Sequence, residues 1–166
     1  MSHFRNLSLI AAIFLVTNYV VHSARAAEPP ADVCSLLPAA EVSTTLGQAY
    51  NSPQKSVAPR PFANTAEGTD CSYRPKGATQ STLLFRAYFD PSPSAAADLF
   101  TRLSKFYGTP TPIAGLGDTA YFDEAHGLHV RKGNVRFYIN LDPMGTFTPT
   151  LEKKLKDLAG LVSGRL

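Results

Sequence analysis

Two cysteines, Cys34 and Cys71, are the entire thiol complement of the 166-residue chain. Whether they are joined decides how such a chain can fold. A bond between them would close a loop of nearly forty residues and add on the order of 4 kcal/mol in the chain-entropy model. That is a large share of the roughly 5–15 kcal/mol that holds a small domain together. The answer turns on compartment, and the N-terminus speaks to it. His3 and Arg5 precede an apolar run from Leu7 to Val21, broken by Ser8, Thr17 and Asn18. Charge followed by about fifteen largely apolar residues is the order of a secretory leader, and it falls short of the roughly twenty residues of a membrane-spanning helix. Ala24-Arg25-Ala26 offers a small-x-small cleavage site. Residues 1–26 are therefore expected to be a signal peptide and residues 27–166 a single mature domain. In an oxidising compartment Cys34 and Cys71 are expected to pair. They are too far apart to form a C-x-x-C redox motif.

Removing residues 1–26 takes away Arg5 and Arg25 and no acidic residue, so the formal charge of +3 becomes +1. A nearly neutral, exported domain is a poor nucleic-acid binder. No later segment is apolar for long enough to span a bilayer, so no stable transmembrane anchor is expected after processing. The mature chain is long enough to bury a sizeable core.

The mature order reads helix, strands, helix, strands, helix. Asp32 caps a short turn through Cys34 to Leu37, and a helix then runs from about Pro38 to just before Gly47. Residues 48–68 carry Pro53, Pro59 and Pro61 and read as a long surface loop with at most a short strand. Thr69–Arg74 and Thr82–Phe89 alternate as strands around a Pro75-Lys76-Gly77 turn. Ser92 and Pro93 open a helix whose inward stripe is expected to be Leu99, Leu103, Phe106 and Tyr107, aided by Ala95 and Ala96. A short strand spans Thr119–Phe122. Gly127–Arg131 and Asn134–Leu141 then form a hairpin around Gly133. Leu151, Leu155, Leu158, Ala159 and Val162 mark a last helix capped by Thr150. The fold class is α+β, an antiparallel sheet with helices packed on one face. A helix followed by strands near residues 34–89 recurs near 93–141, a weak tandem pattern.

Chemistry is sparsely signalled. His126 and His129 stand beside Asp123 and Glu124, but the segment is a turn and completes no metal-ligand set. Gly115-Leu116-Gly117-Asp118 lacks the lysine and the following helix of a phosphate loop. No Ser, His and acid triad can be assembled from spacing. No catalytic residue, metal or cofactor is assigned. Arg131, Lys132, Arg136 and Tyr138 gather on the hairpin as a possible interaction patch for an acidic partner or anionic surface.

Cys34-Ser35-Leu36-Leu37-Pro38, Glu41-Val42, Leu46-Gly47, Cys71-Ser72-Tyr73, Gly115-Leu116-Gly117-Asp118 with Ala120-Tyr121-Phe122, and Leu128 through Asn134 together resemble a family of small uncharacterised bacterial cell-envelope domains. Many of these are lipoproteins of actinobacteria. The resemblance implies a helix-plus-sheet domain with Cys34 and Cys71 paired and Gly115 to Asp118 as a structural turn, and it brings no catalytic residues. The chain lacks the cysteine to which a lipid would be attached. The expected function is that of an exported, non-enzymatic envelope module, periplasmic or secreted, binding an envelope protein or a small anionic ligand. The alternatives are a small hydrolase-like enzyme with a site near His126 and His129, or a structural envelope protein. Secreted material is expected to begin at Ala27 by intact mass; an N-terminus at Met1 in the membrane fraction would refute the leader.

Overall fold

The structure is a computed structural model that describes residues 26–63, 65–77, 81–108, 110–142 and 146–166. The expected leader, Ala26 apart, lies outside the described residues. Among those residues no helix is long and apolar enough to cross a membrane.

Asp32 opens the fold as expected, its side chain accepting the Cys34 N–H at 3.1 Å to cap a 3-10 turn, Val33–Leu36. Pro38 cannot sit inside a helix but can precede one, and α1 runs from Ala39 to Leu46, stopped by Gly47 at φ 78°. The proline-rich stretch contributes one short edge strand, β1 (Gln54–Ala58). It pairs with β2 (Gly68–Tyr73), which pairs with β3 (Thr82–Phe89). Ser92 caps α2 (Pro93–Phe106) by accepting the Ala95 N–H at 3.1 Å. A short strand that the sequence does not announce, β4 (Thr111–Ile113), precedes β5 (Thr119–Phe122). The hairpin of β6 (Leu128–Lys132) and β7 (Val135–Asp142) turns on Gly133, at φ 56°, and Asn134. The last helix, α3 (Pro149–Arg165), begins earlier than expected: Thr148, not Thr150, accepts the Leu151 N–H, because Pro149 already occupies the first helical position.

All seven strands form one antiparallel sheet in the order β1-β2-β3-β7-β6-β5-β4. The helix-then-strands recurrence appears here as two meanders, β1 to β3 and β4 to β7, joined where β3 pairs with β7 over Thr82↔Asp142 to Phe89↔Val135. The α+β class, with an antiparallel sheet and three packed helices, is as expected. One face is the main core: Cys71, Tyr73, Leu83, Phe85, Val130, Phe137 and Ile139 meet Leu155, Leu158 and Val162 of α3 and Val42 of α1. The expected packing on one face describes α1 and α3, whereas α2 rests on the opposite face through Ala96, Phe100 and Leu103. The expected α2 stripe shifts accordingly. Ala96, Phe100 and Leu103 share a row at helical spacing, and Phe106 falls beside that row rather than on it, so it is 74% exposed while Tyr107 of the same turn reaches His129.

Cys34 and Cys71 are bonded, with Cα atoms 5.7 Å apart. The bond fixes the 3-10 turn to β2. Beside it, the buried Tyr73 hydroxyl donates to the Leu37 carbonyl at 2.5 Å, so two neighbouring side chains of one strand hold the entrance to α1. Arg165 closes the arrangement from α3, donating to the Leu36 carbonyl at 2.9 Å and pairing with Glu41. Replacing both cysteines by alanine is expected to cost about 3–4 kcal/mol in urea unfolding. A loss under 1 kcal/mol would show that Tyr73 and Arg165 anchor the turn without the bond.

Candidate functional site

Strand alternation puts every second residue of β2 to β7 on the face opposite the core, and the register lines them up in rows across the sheet. One row reads Asp70, Arg86, Tyr138, His129, Tyr121; the next reads Gly68, Tyr88, Arg136, Arg131, Thr119. Arginines and tyrosines thus alternate on β3 and β7. Gly68 is needed because a Cβ there would stand 2.5 Å from the Tyr88 ring. Tyr88 in turn donates its hydroxyl to the Pro59 carbonyl at 2.6 Å, drawing the segment after β1 over this face.

Two ion pairs organise the rows. Arg86 grips Asp70 through Nε and Nη2 at 2.6 and 2.9 Å, and Arg136 grips Asp90 through the same two nitrogens at 2.5 and 3.0 Å. The Arg136 and Asp90 side chains are 3% and 0% exposed. Such a pair offsets the cost of burying two charges through its bidentate geometry, and losing one partner would strand the other at about 3–5 kcal/mol. The guanidinium of Arg136 also lies 4.8 Å from the Tyr88 ring centroid.

His129 sits among aromatic rings, with centroids 4.7 Å from Tyr121, 4.6 Å from Tyr138 and 5.0 Å from Tyr107. Its Nε2 lies 2.9 Å from Asp123 Oδ2, and Asp123 Oδ1 accepts the Gly127 N–H at 2.8 Å. Burial dominates the histidine and pushes its pKa below the ordinary 6.5, against the pull of Asp123. Burial alone would raise the Asp123 carboxyl, but the bonds from His129 and the Gly127 N–H outweigh it and hold the pKa low. Both directions describe a neutral imidazole donating its Nε2 proton to an ionised carboxylate, which leaves Nδ1 as an acceptor.

Over these rows α2 contributes Phe100, Leu103 and Tyr107, and Pro61 adds an edge. Together with Arg86, Tyr88, Arg136, Tyr138 and His129 they enclose a pocket of about 110 Å³. Among the described residues the side-chain ion pairs run through Nε and Nη2 of Arg86, Nε and Nη2 of Arg136, and Nε2 of His129, so Nη1 of each guanidinium and Nδ1 of the imidazole are the atoms that these pairs leave over.

The residues singled out on the hairpin are distributed among different environments. Arg136 and Tyr138 line the pocket. Arg131 lies on the same face but pairs with Asp118 at 2.8 Å. Lys132 turns to the other face and donates to the Ser163 carbonyl of α3 at 2.5 Å. Only part of the expected patch therefore converges. His126 and His129 also part company: His126, at φ 62°, stacks on Phe147, which packs against the core-face Phe122. Among the described residues no group of three or more His, Cys, Asp or Glu side chains is placed to hold a metal ion. Gly115 to Asp118 is a structural turn: Asp118 accepts from Arg131 Nη1 and the Gly133 N–H, both at 2.8 Å. Gly117, at φ 59°, leaves no room for a Cβ, which would stand 2.5 Å from the Arg131 carbonyl oxygen. Sequence reasoning missed Arg86, Tyr88 and Tyr107. The first two were visible as the polar phase of β3, but nothing local showed that a helix would roof them.

Fold and site define a small α+β domain with an arginine- and tyrosine-lined pocket between its sheet and α2. Compared with protein-family models, curated proteins and solved structures, the chain matches none. Lowering the pH from 7.5 to 5.5 is expected to reduce urea stability, because unfolded His129 takes up a proton near its ordinary pKa while the folded site resists. Stability from this group is fully present above about 6.5 and is lost as pH falls towards the lower folded value. His129→Gln should remove that component; an unchanged pH slope in the variant would contradict it.

Proposed function

We propose that the chain is an exported, non-enzymatic binding module of the bacterial cell envelope, working in the periplasm or outside the cell, and that its ligand enters the pocket beneath α2. The pocket carries this reading. It combines apolar walls with a few polar groups, the usual composition of a small-molecule site. Its arginines are already aligned by buried or half-buried carboxylates, so ordering them costs a ligand little. The paired cysteines fit an oxidising compartment, and the resemblance to small bacterial cell-envelope domains belongs to the same reading.

A carboxylate-oriented histidine is also half of a nucleophilic site, which is the strongest ground for the hydrolase-like alternative. Among the described residues the pocket lining supplies no Ser, Thr or Cys to act with His129, and His126 is turned towards Phe147. The arrangement therefore favours holding a ligand over cleaving one.

Leu103→Trp would fill the pocket from α2 while leaving both arginine pairs in place. In ligand-observed NMR against a mixed set of small anionic, cationic and neutral compounds, the native protein is expected to bind at least one member, and the tryptophan variant to lose at least tenfold in affinity for it, as for lost packing and access of about 1.4 kcal/mol or more. Equal binding by both proteins would place the ligand elsewhere. No binding by either would remove the small-molecule reading.

A further inference from the structure

We infer that the pocket beneath α2 takes a small carboxylate together with one proton, the carboxylate lying between the free guanidinium edge of Arg136 and His129 Nδ1. The inference rests on the binding reading above and names its ligand class.

Charge on this face sets the requirement. Arg86 and Arg136 are matched one to one by Asp70 and Asp90, and Asp123 faces a neutral His129. The region thus already holds one uncompensated negative charge behind the pocket, and a bare anion would add a second. Proton uptake by His129 removes that conflict: the imidazolium sits between Asp123 and the ligand, and the charge of the region is the same after binding as before. Hydrogen bonding sets the same requirement independently. With its Nε2 proton committed to Asp123, His129 offers a lone pair at Nδ1, which repels a carboxylate oxygen; protonated, it becomes a donor. The proton comes from solvent, and no bond of the ligand is broken.

The groups facing His129 make the uptake conditional. Asp123, from the turn after β5, favours the imidazolium, while burial opposes it along with Arg86 on β3 and Arg136 on β7. Tyr121, Tyr138 and Tyr107, from β5, β7 and the end of α2, surround the ring, and burial pushes Tyr121 and Tyr138 further above the ordinary tyrosine value. The proton is therefore held only when an anion lies beside the ring. The volume of about 110 Å³ is below the roughly 150 Å³ of a cavity that admits benzene. With Phe100 and Leu103 as its apolar wall, the site suits a short aliphatic tail. The N–H groups of the guanidiniums are donors only and offer an ammonium nothing to bond to.

Butanoate, butanamide and butylammonium are near-isosteric probes of the three charge states. Calorimetric titration of the oxidised protein at pH 6.5 should show butanoate binding at least tenfold more tightly than either of the others. Repeating it in two buffers of different ionisation enthalpy should reveal uptake of about one proton, and affinity should fall by up to tenfold per pH unit between about pH 6 and 8. His129→Gln should abolish both the uptake and the slope. Equal binding of butanamide, absence of proton uptake in the native protein, or a slope that survives His129→Gln would overturn the carboxylate inference while leaving the pocket reading intact. Failure of all three probes would overturn it too, and only a negative compound screen in the native protein would take the pocket reading with it.

Discussion

The Asp90–Arg136 pair is the interaction on which the second face of the sheet depends. Asp90 directly follows β3, just before the helix cap at Ser92, and Arg136 lies near the start of β7, so one bidentate contact fixes the departure of α2 from the central strand pair. The same corner is reinforced by Asn134, whose side chain donates to the Asp90 carbonyl at 2.9 Å. A buried pair adds little net stability over an apolar replacement, but it has one allowed geometry. Here that geometry sets where α2 lies and which edge of Arg136 remains free.

The two faces are stabilised by different physics. Between α1, α3 and the sheet the contacts are aliphatic and aromatic, with the Cys34–Cys71 bond and the Tyr73 hydroxyl fixing the N-terminal turn. Beneath α2 the sheet presents rows of Arg, Tyr, Asp and His held by charge-assisted hydrogen bonds and ring contacts. A helix with three buried side chains, Ala96, Phe100 and Leu103, cannot seal such a surface, and the pocket is the gap that results. The site therefore follows from asymmetry between a close-packed face and a polar face only half covered.

Local chemistry made much of the architecture legible. The Asp32 and Ser92 caps, the Pro38 entry, the Gly47 stop, the Gly133 turn and the alternation of β3 and β7 were all visible in the chain. The features that escaped are tertiary. Phe106 has the apolar character of a core residue and lies exposed because the row that α2 turns to the sheet runs through Ala96, Phe100 and Leu103 instead. Arg136 looks like a solvated hairpin residue and is buried because Asp90, far away in sequence, lies within bonding distance. Convergence of Arg86, Tyr107 and His129 needed the strand order and the side on which α2 packs, and neither is encoded by periodicity.

Asn134 has a further partner. It accepts the Ala27 N–H at 2.7 Å and donates to the Ala27 carbonyl at 2.9 Å, clasping the backbone at the expected cleavage boundary against the tip of the β6–β7 hairpin. Whatever is joined upstream of Ala27 must leave the domain at that clasp, a short way from the Asp90–Arg136 pair. Trimming the chain at this point would exchange an amide for an ammonium at the same oxygen. Cleavage at that boundary would then be an edit to the domain's own surface, and an affinity tag placed upstream of Ala27 would leave through the corner that supports the pocket, whereas one beyond Leu166 would not meet that clasp.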